Sequence, residues 1–133
     1  FEKGHLLFGR MRPYLNKVWS AEYDGVCSGE ILVLKPNKNK VDTLLLQTLL
    51  LSKLTLAQIV PLQSGSSLPR VSASDVLSVK LPIPKNLNKQ KEISDEIEKR
   101  RLEVKRLRTE AEAVVAISKA QVERMILGEE TVG

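Results

Sequence analysis

Over residues 5 to 12 the apolar positions alternate with a period of two, Leu7, Gly9 and Met11 falling on one face and Leu6, Phe8, Arg10 and Arg12 on the other. That period predicts a strand, and it turns Arg10 and Arg12 to the same side. Pro13 cannot donate to a ladder and closes the strand. Residues 28 to 34 predict a second strand, entered through Asp24-Gly25 and Ser28-Gly29 and left through Pro36-Asn37, all of them turn chemistry. The period then lengthens. Asp42 can cap a helix reaching about residue 52, because Leu45, Leu46, Leu49 and Leu50 share one helical face. A short helix over residues 56 to 62 follows, its end blurred by Pro61. A small-polar loop over residues 63 to 70 leads to one helical turn at 72 to 77. Val79, Leu81 and Ile83 alternate again and predict a last, short edge strand between prolines.

Beyond Asn88, a candidate N-cap, no Gly or Pro interrupts the chain until Gly128. A helix over 88 to 127 would be about 60 Å long at 1.5 Å per residue. Ile93, Ile97, Val104, Leu107, Ala111, Val115, Val122 and Ile126 follow helical spacing along it, and Ile93, Val104, Val115 and Ile126 recur every eleven residues. That repeat predicts a straight or weakly right-handed pair rather than a tight leucine zipper. A rod of this length outruns the domain before it, so its stripe needs a partner helix, and the small side chains of Ala111, Ala116 and Ala120 would admit one closely.

Composition sharpens this division. The net charge of +5 sits wholly in residues 1 to 85, with eleven Lys/Arg against six Asp/Glu; residues 86 to 133 carry ten of each. A basic globular part suits a polyanion, and a neutral, densely charged helix suits solvent and pairing. All five aromatic residues, Phe1, Phe8, Tyr14, Trp19 and Tyr23, lie within the first 23 positions, so the rest of the core must be aliphatic. The single Cys27 cannot close a disulfide within the chain, and no segment reads as a secretory signal, which predicts a cytoplasmic protein. No apolar run approaches the ~20 residues of a membrane span. The chain starts without Met inside strand-like sequence, so part of the domain is expected upstream.

Catalytic chemistry is hard to assemble from these residues. A lone His5 gives no Ser-His-Asp set, no Cys/His cluster has metal-ligand spacing, and Gly25, Gly29 and Gly65 make no phosphate-cradling loop. No catalytic residue, metal site or cofactor is therefore expected. What remains is a set of cations with an aromatic neighbour: Arg10, Arg12, Tyr14 and Lys17 in one stretch, and Ser66 and Arg70 in the Ser/Gly loop, where hydroxyls, amides and guanidinium groups can hold phosphate oxygens or base edges. The same residues fit a solvated basic edge with Tyr14 packed on the core, and taken alone they leave both readings open.

The run Gly4-His5-Leu6-Leu7-Phe8-Gly9-Arg10-Met11-Arg12-Pro13-Tyr14-Leu15-Asn16-Lys17-Val18 resembles a recurring segment of the specificity subunits of type I restriction-modification enzymes. The loop from Gly65 to Pro69-Arg70-Val71, the Leu81-Pro82-Ile83-Pro84 stretch with Gln90 and Ile93 after it, and the long charged helix agree in the same order. The resemblance implies an α+β fold: a target recognition domain of mixed build over residues 1 to 85, incomplete at its N-terminus, then a spacer helix and tail over 86 to 133. It implies that two spacer helices pack antiparallel, from a second copy or a second half of the subunit, and set the distance between two half-sites on double-stranded DNA. Methylation and cleavage would belong to separate methyltransferase and endonuclease subunits. Because the Arg-Pro-Tyr-Leu segment also occurs in relatives that read other sequences, Arg12 and Tyr14 are expected to serve structure or phosphate contact, and base reading falls to the loops. The competing expectation is an interaction protein without a DNA role that dimerises through its helix.

Overall fold

The computed structural model describes residues 1 to 129 and residue 131. Three short strands form one antiparallel sheet: β1 (Leu6–Gly9) lies between β2 (Val18–Ser20) and β3 (Ile31–Leu34). Its register pairs Leu7 with Trp19 on one side and with Val33 on the other, and pairs Phe8 with Val18 and Leu32. Since alternate side chains leave opposite faces, Phe8, Val18, Leu32 and Leu34 turn to the core, where they meet Ile59, Val71, Val76 and Val79. Across the other face Leu7 is buried but Trp19 and Val33 stay half open. Trp19 there packs against Tyr23 and Phe1, with ring centroids 5.5 and 6.1 Å away.

The helices that cover the core begin where short polar side chains satisfy their first N–H groups. Asp42 accepts from the amides of Leu44 and Leu45, both at 3.0 Å, and opens α1 (Thr43–Leu50). Ser52 caps α2 (Lys53–Ile59), which tightens into a 3-10 turn at Val60–Leu62 as soon as Pro61 enters. Ser72 and Asp75 form a reciprocal capping box at the start of α3 (Ala73–Ser78). The fourth helix, α4 (Leu87–Ile126), runs unbroken for 40 residues. Its cap is Asn86, whose Oδ1 accepts from the amides of Asn88 and Lys89, two positions ahead of the Asn88 cap read from the sequence. Gly128 ends it with φ of 75°, the left-handed geometry expected of that glycine. Of the expected tail, residues 130, 132 and 133 lie outside the described residues.

Two further expectations are corrected. Val79, Leu81 and Ile83 form no strand: prolines at 82 and 84 withhold ladder donors, and the segment runs as an irregular connection with Val79 packed on the core. The first strand stops at Gly9 rather than at residue 12, because Arg12 takes a left-handed conformation (φ 51°, ψ 64°), so the two-residue alternation does not reach it. Strand β2 went unforeseen; it has only three residues, too few for a periodic signal.

By internal contacts the chain divides into Phe1–Ser94 and Asp95–Gly133. The first two turns of α4 thus belong to the first unit. Gln90 there is fully buried, accepting at Oε1 from the Asp42 amide (2.7 Å) and donating from Nε2 to the carbonyls of Lys40 (3.0 Å) and Pro84 (2.6 Å). Ser94 donates to the Asp42 carboxylate at 2.5 Å. Burial would push the Asp42 carboxyl up, but the Ser94 hydroxyl, the Leu45 and Leu44 amides and the Lys91 ammonium together hold it below its ordinary value. A depressed folded value adds stability above the unfolded pKa and loses it as the pH falls through the folded one. We expect Asp42→Asn to flatten the fall of the thermal midpoint below about pH 4, near the unfolded value for aspartate. An unaltered acid limb, followed by calorimetry from pH 5 to 2, would show that Asp42 does not contribute to it.

Candidate functional site

The basic stretch after β1 is built as a pinned turn. Pro13–Leu15 forms one 3-10 turn, closed at each end by a residue in the left-handed region: Arg12, and Asn16 with φ 48° and ψ 59°. Asparagine tolerates that conformation better than most side chains, which is the local reason for its place here. Pro13 is buried below, while Arg12, Tyr14, Leu15 and Lys17 are exposed. Lys17 lies across Gly9, where an added Cβ would come within 3.2 Å of its stem, so glycine at that strand position leaves the lysine its path.

A second loop is tied to this turn. Ser64 and Arg70 exchange two backbone hydrogen bonds of 2.8 Å, closing a hairpin whose tip carries Ser66 and whose turn uses Gly65 at φ +94°. The Arg12 amide donates to the Pro69 carbonyl at 2.7 Å, and the Val71 amide to the Arg10 carbonyl at 3.1 Å. Two segments remote in sequence are therefore joined through their backbones: the turn with exposed Arg12, Tyr14 and Lys17, and the hairpin with exposed Ser66.

The other two arginines are engaged within the scaffold. Arg10 is half-buried and donates Nε to the Val71 carbonyl at 3.1 Å. Arg70 donates Nε to both carboxylate oxygens of Glu30 at 3.0 Å and one terminal nitrogen to the Leu68 carbonyl, which fixes the hairpin against the entry to β3. Sequence reading did not single out Leu15 or Asn16. A left-handed asparagine beside Pro-Tyr-Leu is the signal that could have found them, since Asn16 also donates its side-chain amide to the Leu51 carbonyl at 2.5 Å.

Along α4, Ile93 and Ile97 are half-buried and every residue from 98 to 124 is exposed, among them Val104, Leu107, Ala111, Val115 and Val122, with Ile126 beyond. The charges pair along the helix itself: Arg100 with Glu96 at 2.6 Å, and Arg106 with Glu103 at 2.7 Å and with Glu110. The Arg100 hydrogen bond and charge hold the Glu96 carboxyl below its ordinary value. Among the described residues no group of three or more His, Cys, Asp or Glu is placed to hold a metal ion, and Cys27 is exposed. His5 accepts from the Glu2 amide at Nδ1. No single described helix is long and apolar enough to cross a membrane; α1 and α2 are apolar together but are bent by 58°.

Residues 2–108 match a family of known proteins described as the type I restriction modification DNA specificity domain. The chain is 31% identical over 98 residues to the type I restriction enzyme EcoDI specificity subunit of Escherichia coli, an alignment covering 74% of this chain and 21% of that protein. Its fold is similar to the crystal structure of the HsdS subunit from Thermoanaerobacter tengcongensis, with a TM-score of 0.67 and 27% identity over 88% of this chain and 32% of that one. The chain thus spans about a fifth of the first relative and a third of the second.

Proposed function

Since this chain belongs to the family of type I restriction modification DNA specificity domains, we propose that it is the DNA-reading part of a specificity subunit, with residues 1 to 85 as target recognition domain and 86 to 133 as spacer helix and tail. In this reading the subunit directs methyltransferase and endonuclease subunits to a two-part site on double-stranded DNA. It carries the address, without cofactor of its own, and the partner subunits carry the chemistry, in the cytoplasm where such DNA is met. The α4 stripe pairs antiparallel with a second copy or a second half of the subunit, and the length of the rod sets the spacing of the half-sites.

The observation that carries the reading is the turn on which Arg12, Tyr14 and Lys17 stand exposed, tied to the Ser66 hairpin by the Arg12 amide on the Pro69 carbonyl. It offers two cations without an ion pair among the described residues, a phenol and a hydroxyl, the inventory from which phosphate contacts are made. Arg10 and Arg70 belong to the same set: each spends its Nε on the scaffold, on Val71 and on Glu30, and keeps terminal N–H groups for phosphate or base edges. An interaction protein without a DNA role, dimerising through its helix and binding a protein with its basic domain, is the competing reading, and the exposed α4 stripe suits it equally well.

Salt separates the two. Each phosphate neutralised releases condensed counterions, so affinity for duplex DNA falls steeply as salt rises. Arg12→Ala and Lys17→Ala are each expected to weaken binding to all sequences alike and to reduce the slope of log affinity against log salt by about one unit. Loss of a base-reading contact would instead relax discrimination at one position by about 1–3 kcal/mol. A wild-type protein that binds duplexes without salt dependence, or variants that keep its affinity and slope, would leave the interaction protein as the reading to pursue.

A further inference from the structure

The turn that carries Arg12 and Lys17 has a feature that phosphate contact does not require. Tyr14 and Leu15, adjacent at its crest, are 48% and 53% exposed, although the same turn buries Pro13. Leu15 gains nothing from water, and of Tyr14 only the hydroxyl does. The backbone beneath them is nevertheless held in one shape, with Arg12 and Asn16 both left-handed, a conformation that persists in residues other than glycine only where surrounding contacts impose it. Four hydrogen bonds impose it here: Arg12 amide to Pro69 carbonyl (2.7 Å), Leu15 amide to Arg12 carbonyl (3.0 Å), Asn16 amide to Pro13 carbonyl (2.9 Å) and Asn16 side chain to Leu51 carbonyl (2.5 Å). The crest is thus stiff, apolar and set between two cations. Residues 10 to 17 include no carboxylate, and neighbouring Glu30 is taken up by Arg70.

A stiff apolar tip between cations is what parts stacked base pairs when a protein kinks a duplex: the tip enters a base step, and the flanking charges hold the phosphates on either side. Resting on the DNA reading above, we propose that the Pro13–Leu15 turn is a wedge, Leu15 entering one base step of the bound duplex with Tyr14 against the exposed base, while Arg12 and Lys17 take the adjoining phosphates. The wedge adds a preference for steps that unstack easily, pyrimidine followed by purine, which is read from deformability and not from base edges.

The experiment uses the whole chain and a duplex selected by it from a randomised pool, with 2-aminopurine placed at one position at a time. Unstacking raises the emission of that base. The wild-type protein is expected to raise it about threefold or more at one step and little elsewhere. Leu15→Ala should abolish the rise and weaken binding about tenfold while its salt slope stays at the wild-type value, since no charge is lost. Leu15→Met should keep the rise. Leu77→Ala, at an exposed leucine of α3 outside this surface, should change neither. A rise that survives Leu15→Ala, or a duplex bound with a steep salt slope and no rise at any position, overturns the wedge and leaves the DNA reading standing. A wild-type chain that binds no duplex overturns both.

Discussion

Replacing Gln90 by alanine is expected to lower the thermal midpoint of the 1 to 94 unit by about 15–25 °C, as roughly 4–8 °C is lost per kcal/mol in a domain of this size. The side chain has no exposed surface and its three hydrogen bonds go to backbone groups of two separate segments, the Asp42 amide with the Lys40 carbonyl, and the Pro84 carbonyl. Alanine would leave one donor and two acceptors without partners inside the fold. Each such group costs about 1–3 kcal/mol, and partial entry of water brings the total to about 3–5 kcal/mol. Against a stability of about 5–15 kcal/mol for a typical domain, that is a large share. Calorimetry on Gln90→Ala and Gln90→Met distinguishes the causes, because Met restores volume without hydrogen bonds. Comparable losses in both assign the effect to the polar groups; a loss below about 1 kcal/mol in either would mean that the three backbone groups find other partners.

Substituting Val104→Asp and Val115→Asp together is expected to dissolve the pairing proposed for α4. Both valines are about half exposed in the single chain and lie eleven residues apart on one stripe, so a partner helix would seal both. An unpaired carboxylate in such a seam costs about 3 kcal/mol or more, and two of them raise the dissociation constant by more than about a thousandfold. The control is Leu102→Asp with Ile117→Asp. Each lies two positions from a seam valine, hence about 200° around the helix, and each is exposed as well. Sedimentation equilibrium should find the first double variant dissociated and the second associated like wild type. Equal dissociation of both would place the seam elsewhere, and no dissociation of either would remove α4 as the pairing element.

Much of the fold was legible because the signals were local. Asp42 stands where capping chemistry starts a helix, and an uninterrupted run to Gly128 leaves a long helix little alternative; Ser52, read as the end of the first helix, instead caps the second three residues earlier than expected. The errors came where a longer-range partner decided the outcome. Arg12 turns left-handed because its amide reaches Pro69, 57 positions on, and nothing in the alternation of residues 5 to 12 records that bond. In sequence Gln90 is a position of the resemblance without a role; only the fold brings Lys40 and Pro84 around it. The candidate site divides in the same way. Composition picked out the arginines, but whether a guanidinium faces outward or is spent on Glu30 depends on which segment lies beside it.

The confinement of every aromatic ring to the first 23 residues has a practical consequence. Trp19, the only tryptophan, sits half open on the sheet face opposite the core, beside Tyr23, and α4 contains no aromatic side chain at all. Intrinsic fluorescence and near-ultraviolet dichroism therefore report on the sheet domain alone, whereas far-ultraviolet dichroism is dominated by the 40-residue helix. Loss of the sheet domain's packing and loss of α4 helicity can thus be followed by two optical signals in the same unlabelled sample.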